Sequence, residues 1–463
     1  MDELLALAKF IAAFSLDECP PEVVSAAKDC VLDTVGISIG AVTQTMQRNI
    51  RQIYLKYDNY NPIKEQNDAL LATVWGSHEK VNLRTAVFFN AMQGHTLEMD
   101  DVHTRSKTHI GTVVIPAAWG LSEVLSATGK DFLEAVICGY ETMSRIGMGF
   151  GVSSHRNKGW HVTSTAGTFG AAAACAKLLH FVPEQIMGAF GMAGTQSCGT
   201  WAFLADGATN KVLHPARAAV SGLEACLLVQ GGMKGSSYIL DAKDGGIFPM
   251  MSDEYDYSLV SQNLGKIFEL LQVDKKPYPC CRSTHCAIDA ALFLKENEKI
   301  DIQNIRKVTV KTYLVGLKQC GLSETSKIPE LPTQAKFSTP YVVACALTDG
   351  KVALQHFDQA EIQRKDLQNL LRKISVVEDP AFTAQYPNHW GCKMEIELQD
   401  GTCYTKTIPD ASGSVKSPLT QAQLQKKLES CCTGFNKSWL EGIRQQILRL
   451  DTAELLPLLK YDL

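Results

Sequence analysis

Apolar positions recur at helical spacing from Asp2 to about Leu270, and Ala, Leu and Gly supply most of them. Prolines at 20–21, 116 and 183 interrupt this stretch, as they do at helix starts and breaks. Segments 166–176 and 188–199 are crowded with Gly and Ala, which let neighbouring backbones approach closely. The pattern therefore predicts a large unit of packed, buried helices.

The pattern changes after about Leu271, where short segments alternate between apolar and polar residues as half-buried strands do. The predicted strands are Lys307–Tyr313, Lys393–Leu398 and Thr402–Thr407, and the predicted helices between them are Thr339–Leu347 and Ala360–Leu371. Asp400-Gly401 predicts a hairpin turn between the last two strands. From Thr420 to Leu463 the helical spacing returns, and we expect this segment to pack back on the first unit.

The fold class predicted from this order is mainly α with an α+β part. A large all-helical domain is formed by both chain ends, residues 1–270 and 409–463, and an α+β lid domain of residues 271–408 is inserted between them. The cleft between two such domains is the usual place for a small ligand.

Charge and composition exclude several classes of function. The chain has 45 Lys and Arg residues against 49 Asp and Glu residues. The net charge of −4 provides no excess positive charge that would attract a nucleic acid or a membrane surface. We find no run of 18 apolar residues, and Lys9 interrupts the apolar stretch of an acidic N-terminus, which a signal peptide does not allow. An odd count of 15 cysteines then favours reduced thiols in a cytoplasmic compartment.

The densest polar cluster lies at residues 95–109, with three carboxylates and three histidines within fifteen positions. Its members are His95, Glu98, Asp100, Asp101, His103, Arg105, Lys107 and His109. Mixed charges at the end of an apolar helix can bring pKa values near neutrality, as proton transfer requires. The alternatives are a solvated helix end with ordinary ion pairs, and a zinc site. Because the sequence has no HExxH pattern, we predict that no metal is bound.

Three further segments gather positive or titratable groups. His161 lies at the start of a predicted helix. Lys211 and His214 lie just before a second predicted helix, which begins at Pro215. Helix starts collect backbone donors and could hold a carboxylate, although a histidine there also serves as an ordinary cap or core residue. Residues 276–285 add Lys276, Arg282 and His285 on a segment made rigid by two prolines, as a preformed anion site would need.

Familiar cofactor motifs are missing from the sequence. The glycines at 147, 149 and 151 follow a helix and not a strand, and no GxxxxGK[ST] or GxSxG pattern occurs. The vicinal pairs Cys280-Cys281 and Cys431-Cys432 lack the CxxC spacing of zinc or iron–sulfur ligands. We therefore predict no cofactor and expect side chains to supply the chemistry.

Six segments, in this order, resemble the MmgE/PrpD family, whose members include 2-methylcitrate dehydratase, cis-aconitate decarboxylase and iminodisuccinate epimerase. The segments are Val74–Ser77, His95–Asp101 with His109–Gly111, Gly159–Thr168, Lys211–Gly222, Lys276–His285 and Ala335–Tyr341. The resemblance implies a helical domain built from both chain ends, an α+β lid, a homodimer, and a cofactor-free active site in the cleft.

By the same resemblance, several residues fall on the family's active-site pattern: Asp100, Asp101, His109, His161, Lys211, His214 and Lys276. The sequence departs from that pattern at Glu98, where the family's His-x-x-Asp-x-Asp-Asp motif has an aspartate. No tyrosine occurs at 314–317, around which the decarboxylase has one, and this disfavours decarboxylation. We predict that His109, His161, Asp100 and Asp101 are catalytic. The predicted substrate-binding residues are Lys211, His214, Lys276, Arg282 and Glu98.

The predicted function is a cofactor-independent lyase that dehydrates a citrate-like hydroxy polycarboxylate by removing a proton next to a carboxylate. Lys211 and Lys276 would stabilise the negative charge that develops, and His109 or a neighbouring aspartate would take the proton. His161 would protonate the departing hydroxide. The alternatives are a decarboxylase of the cis-aconitate type, an epimerase of an iminodisuccinate-like acid, and a non-catalytic paralogue that binds a carboxylate.

Overall fold

A computed structural model of the protein describes residues 2–57 and 70–461. The α-helices are α1 (Asp2–Ala13), α2 (Pro21–Ala41), α3 (Thr45–Tyr57), α4 (Leu83–Thr96), α5 (Gly111–Leu125), α6 (Gly129–Gly149), α7 (Val152–Asn157), α8 (Val162–Thr165), α9 (Gly167–Leu178), α10 (Pro183–Thr195), α11 (Leu213–Gln230), α12 (Ile247–Met251), α13 (His285–Glu298), α14 (Leu314–Cys320), α15 (Glu324–Lys327), α16 (Pro332–Lys336), α17 (Thr339–Asp349), α18 (Gln359–Ile362), α19 (Lys365–Leu371), α20 (Pro380–Gln385), α21 (Gln421–Cys431) and α22 (Lys437–Leu448). The strands are β1 (Leu71–Thr73), β2 (Lys80–Asn82), β3 (Val102–His103), β4 (Val273–Asp274), β5 (Ile305–Thr312), β6 (Ile374–Glu378), β7 (Cys392–Leu398) and β8 (Cys403–Ile408).

The helical domain has one apolar core, which contains residues between Leu4 and Val273 and between Leu428 and Leu459. Helix α9 lies at its centre and packs against α5, α6, α10 and α11. Small residues make this close packing possible: a Cβ added at Gly139 of α6 would lie 3.0 Å from the carbonyl oxygen of Gly170 in α9. The Gly- and Ala-rich segments thus form buried helices, as their composition predicted.

Both ends of the chain contribute to this domain. Helices α21 and α22 pack on α2, and the buried ammonium of Lys427 in α21 forms an ion pair with Asp33 of α2. Gly40 faces the backbone of Cys431 so closely that an added Cβ would lie 2.3 Å from its carbonyl oxygen. The predicted fold class, mainly α with an inserted α+β part, is confirmed.

The lid domain has a separate apolar core, whose members lie between Cys280 and Ala411. Its sheet has the order β6-β5-β7-β8, with β5 parallel to β6 and antiparallel to β7. Helix α13 packs on β7 and β8, and α17 packs on β6. The predicted residue limits of the two domains, 271 and 408, stay a prediction.

The structure agrees with the three predicted strands and differs from the sequence analysis in detail. The predicted helix at 360–371 is two short helices, α18 and α19. Strand β6 was missed because its burial does not alternate cleanly. The pairs β1–β2 and β3–β4 are only two or three residues long, so no pattern of alternation could develop.

Among residues 2–57 and 70–461, one helical stretch, Asn210–Gln230, has the length and apolar composition of a membrane span. Helix α11 forms most of this stretch and packs against α4, α9 and α10. A buried core helix has the same length and composition, so this stretch is weak evidence for a span.

The contact between α6 and the C-terminal segment can be tested at Gly129. A Cβ at this position would lie 2.0 Å from the backbone oxygen of Leu450, and backbone moves less easily than a side chain. We expect Gly129→Ala to lower the free energy of unfolding by about 1–3 kcal/mol in denaturant titrations. Gly442→Ala is the control, since nothing lies within 4 Å and alanine favours the helical conformation of α22. Equal stability of the two variants would contradict this packing.

Candidate active site

The candidate site is a cavity between the two domains. It begins where the buried helix α4 ends and the chain turns at Glu98, whose φ of +59° lies in the left-handed region. The lining residues from the helical domain are Glu98, Val102, Lys107, His109, Arg156, His161, Trp201 and Lys211, and those from the lid domain are Cys281, Arg282, Ser283, Val315, Gln319, Phe337 and Trp390. An apolar cluster joins the domains beside it and contains Phe203, Cys281, Cys320 and Phe337.

Asp100 lies behind the cavity wall and binds three positively charged or N–H-bearing side chains. One carboxylate oxygen lies 2.6 Å from His95 Nδ1 and 2.9 Å from His109 Nδ1, and the other lies 3.4 Å from Lys276 Nζ. Burial opposes ionisation, but the two histidines and Lys276 together hold the pKa of Asp100 well below its ordinary value. Asp100 is therefore ionised and accepts these hydrogen bonds.

His109 is the imidazole that these contacts orient toward the cavity. Its Nδ1 also lies 3.0 Å from the backbone oxygen of Asp101, so Nδ1 carries the proton and Nε2 keeps a lone pair. Burial lowers the pKa of His109 below 6.5, although Asp100 acts in the opposite direction. A neutral imidazole with a free lone pair at a cavity wall has the properties of a general base.

Glu98 compensates the charge of two buried lysines. Both of its carboxylate oxygens accept from Lys211 Nζ, at 2.6 and 2.7 Å, and Lys276 Nζ donates to its backbone oxygen at 2.8 Å. Burial opposes the charge of Glu98, but Lys211 and Lys276 outweigh it and keep the pKa of Glu98 well below its usual range. Despite burial, Asp100 and Glu98 raise the pKa of Lys276, so this lysine is protonated.

His161 and His214 form a pair of neutral imidazoles. Their Nδ1 atoms are 2.8 Å apart, so one ring donates and the other accepts. Burial, together with Lys211, lowers the pKa of His214 to about 4, and burial with the neighbouring His214 lowers that of His161 further. His161 reaches the cavity, where Trp201 packs against its ring at a centroid distance of 4.7 Å.

Asp101 was predicted to be catalytic, and the structure places it behind the wall. Its carboxylate accepts from the backbone N–H of Gly111 at 2.9 Å and from the Tyr140 hydroxyl at 2.6 Å. Burial raises its pKa to about 6, against the effect of these two donors. Asp101 therefore ties the start of α5 to α6, and its backbone oxygen orients His109.

Arg282 lines the cavity, but its guanidinium N–H groups already donate hydrogen bonds to other residues of the protein. Its Nε and one terminal nitrogen donate to Asp274 at 3.0 and 2.9 Å, and the other terminal nitrogen donates to the backbone oxygen of Ser412 at 2.9 Å and also contacts His285 Nδ1. These contacts favour a positioning role, in which Arg282 ties strand β4 to the end of the lid domain. Substrate binding by Arg282 stays a prediction.

The structure brings the predicted residues together in two layers. His109, His161, Lys211, Glu98 and Arg282 line the cavity, while Asp100, Asp101, His214 and Lys276 support them from behind. Lys107 had no predicted role, and His95 had none beyond the zinc alternative, although both belong to the polar cluster at residues 95–109. Arg156, Trp201 and Phe337 were missed, because an isolated arginine or aromatic residue carries no signal in a single sequence.

The side chains of His95, Asp100 and His109 could in principle hold a metal, since their ligand atoms lie within 4.8 Å of one another. In this structure the same atoms form the hydrogen bonds of the Asp100 group. The prediction that no metal is bound stays a prediction.

The fold and the cavity together define a class of protein: a two-domain protein with acid–base and cationic side chains buried at the interface of its domains. The sequence matches the MmgE/PrpD N-terminal domain over residues 5–259 and the MmgE/PrpD C-terminal domain over residues 278–449. The chain belongs to the MmgE/PrpD family, as the sequence resemblance predicted.

Relatives with known names are lyases of two kinds. The cis-aconitate decarboxylase of Aspergillus terreus (strain NIH 2624 / FGSC A1156) is 26% identical, over 96% of this chain and 92% of the relative. The cis-aconitate decarboxylase of Mus musculus is 25% identical, over 92% of this chain and 86% of the relative. The 2-methylcitrate dehydratase of Salmonella typhi is 23% identical, over 61% of this chain and 60% of the relative. The relatives thus support an enzyme of the lyase class.

The role of Glu98 in charge compensation can be tested by Glu98→Gln. This change keeps the shape and removes the carboxylate charge that two buried ammonium groups share, so we expect the free energy of unfolding to fall by about 3 kcal/mol or more. Asp253→Asn is the matched control, because its ion pair with Lys158 lies at the surface and should contribute little. A similar small loss in both variants, measured by denaturant titration, would argue against the compensating role.

Proposed function

We propose that the protein is a lyase that acts on a small polycarboxylate of the cis-aconitate or citrate type, with side chains alone performing the chemistry. The observation that carries this proposal is the neutral His109 at the cavity wall, beside His161 and the ammonium group of Lys211. These groups can move a proton and stabilise negative charge in one small cavity.

The chemistry requires negative charge to develop on a carbon next to a carboxylate, which is unfavourable because the carboxylate is already ionised. Cations near the reacting atoms lower this cost far more in a buried cavity than in water. Lys211 faces the cavity, and Lys276 adds positive charge from behind. We propose that both lysines stabilise the developing charge and that Glu98 and Asp100 keep them in place.

Decarboxylation of a cis-aconitate-like acid is the first candidate reaction. The cis-aconitate decarboxylases of Aspergillus terreus and Mus musculus match more than nine-tenths of this chain, which supports this choice. The missing tyrosine at 314–317 weighs against it, since Val315 lines the cavity from that segment. In this reaction the C–C bond to the departing CO2 breaks, and its electron pair stays on the substrate carbon. A protonated side chain must then donate a proton to that carbon.

Dehydration of a citrate-like hydroxy acid is the second candidate, and it is the reaction that the sequence analysis favoured. The match to 2-methylcitrate dehydratase supports it. His109 Nε2 would accept the proton from carbon. The sequence predicted that His161 would protonate the departing hydroxide, but the buried His161 is neutral, so the imidazolium that His109 becomes would supply that proton instead. Epimerisation, which returns the proton to the other face, and carboxylate binding without catalysis are the remaining alternatives. The homodimer and the cytoplasmic location stay predictions.

We expect His109→Ala and Lys211→Ala each to lower turnover at least about a hundredfold while melting curves show a folded protein. The assay follows cis-aconitate and 2-methylcitrate by ultraviolet absorbance of the double bond and by NMR in deuterated water. His78→Ala is the control, because His78 is exposed and does not line the cavity. Near-normal turnover in both site variants would remove this assignment. Ligand-induced stabilisation without turnover or deuterium uptake would favour the non-catalytic alternative.

The pH dependence of kcat/KM separates the two reactions. A base must be unprotonated, and burial lowers the pKa of His109 below 6.5, so a dehydratase should keep its activity as the pH falls to 6.5 and lose it only at lower pH. If kcat at saturating substrate instead rises as the pH falls through this range, the chemical step itself requires a protonated donor, which favours decarboxylation. Loss of activity that begins well above pH 6.5 on acidification would contradict a neutral His109 acting as the base.

A further inference from the structure

Lys107 places an unpaired ammonium group at the cavity. It follows strand β3 in a tight turn with a φ of +59°, a left-handed conformation that lysine rarely adopts. Its Nζ is buried and has no hydrogen-bond partner among the described residues. The ring of Tyr386 lies beneath it, with its centroid 4.4 Å from Nζ. Burial, and then the nearby Arg156, lower the pKa of Lys107 to about 7.

Arg156 is a second cation on the same cavity. It lies in the last turn of α7, and its guanidinium carbon is 4.3 Å from the centre of the Trp201 ring. In the part of the chain that the structure describes, no carboxylate lies within ion-pair distance of Arg156. Burial lowers its pKa, so the surroundings disfavour its charge without a compensating anion.

The other charged side chains of the cavity already have partners. Lys211 is paired with Glu98, and Arg282 is paired with Asp274. A cation in a desolvated site is costly unless an opposite charge compensates it, and the described residues of this cavity include two cations without one. Aromatic rings hold both Lys107 and Arg156 in place, which fits positions prepared for an anion that arrives from solution.

We infer that Lys107 and Arg156 form a second anion-binding subsite, which holds a carboxylate of the substrate other than the one beside Lys211. The inference rests on the proposed function in that it takes the substrate to be a small polycarboxylate. A substrate with one carboxylate at each side of the cavity would have its reacting carbon fixed near His109 and His161, which also line the cavity. The subsite therefore favours acids with two or more carboxylates over acids with one.

Binding of unreactive acids tests this subsite. Tricarballylate has three carboxylates on a saturated chain and no hydroxyl, and butyrate has a single carboxylate, which can lie beside Lys211 alone. We expect the protein to bind tricarballylate at least about tenfold more tightly than butyrate in titration calorimetry. In Lys107→Met and Arg156→Gln the affinity for tricarballylate should fall about tenfold to a hundredfold and that for butyrate much less, so the preference is lost. Lys158→Met is the control, because Lys158 is exposed and pairs with Asp253.

A second measurement separates binding from a structural role. Because Lys107 is a buried cation without an acidic partner, Lys107→Met should keep or raise the melting temperature of the unliganded protein. A structural lysine would instead lower it on removal. In an active enzyme, the same variant should raise KM for the tricarboxylate more than it lowers kcat.

The outcomes also distinguish the subsite from the proposed reaction. Unchanged tricarballylate affinity in both variants, equal weakening for both acids, or no binding of either acid to the unaltered protein would overturn the subsite. Binding of tricarballylate that depends on Lys107, in a protein that turns over neither cis-aconitate nor 2-methylcitrate, would uphold the subsite and remove the proposed reaction.

Discussion

Charge compensation by two buried carboxylates, Glu98 and Asp100, is the constraint on which the site depends. Both lie on the turn after helix α4, and they meet one lysine at the start of α11 and another on the segment that leads into the lid domain. Because a buried ion costs several kcal/mol unless it is paired, Glu98 depends on both lysines, and Asp100 depends on Lys276 and its histidine partners. The same contacts thus dock the lid domain and assemble the side chains that line the cavity.

Burial lowers the pKa of the histidines and of Lys276 alike, but nearby carboxylates outweigh burial only at Lys276, and this divides their roles. His95, His161 and His214 lose their charge because burial outweighs any nearby carboxylate. Lys276 keeps its charge because Asp100 and Glu98 outweigh burial. The cavity therefore offers neutral imidazoles, which can move protons, next to permanent positive charge, which can stabilise an anion. One buried interface therefore provides both kinds of group.

Much of the fold followed from periodicity, since long helices and the strands β5, β7 and β8 have apolar faces that a sequence displays. The site was predicted only as separate polar segments, whose convergence depends on tertiary packing. The partner of a charged residue could not be predicted in the same way: Lys211 donates to Glu98, which lies 113 positions away in the sequence and meets it only in the folded chain. Lys107 and Arg156 went unassigned because having no partner is a property of the folded protein.

The glutamate at position 98 changes how positive charge is distributed in this cavity. Both oxygens of Glu98 lie within 2.7 Å of Lys211 Nζ, so much of the charge of Lys211 is compensated before any substrate enters. A substrate carboxylate then meets stronger uncompensated charge on the side of Lys107 and Arg156. If binding is governed by the unpaired cations, the paired lysines remain available for charge that appears only during the reaction. Interactions that strengthen in the transition state raise the rate, whereas those made equally in the ground state do not. The ion pair of Glu98 with Lys211 thus favours catalysis over ground-state binding on its side of the cavity.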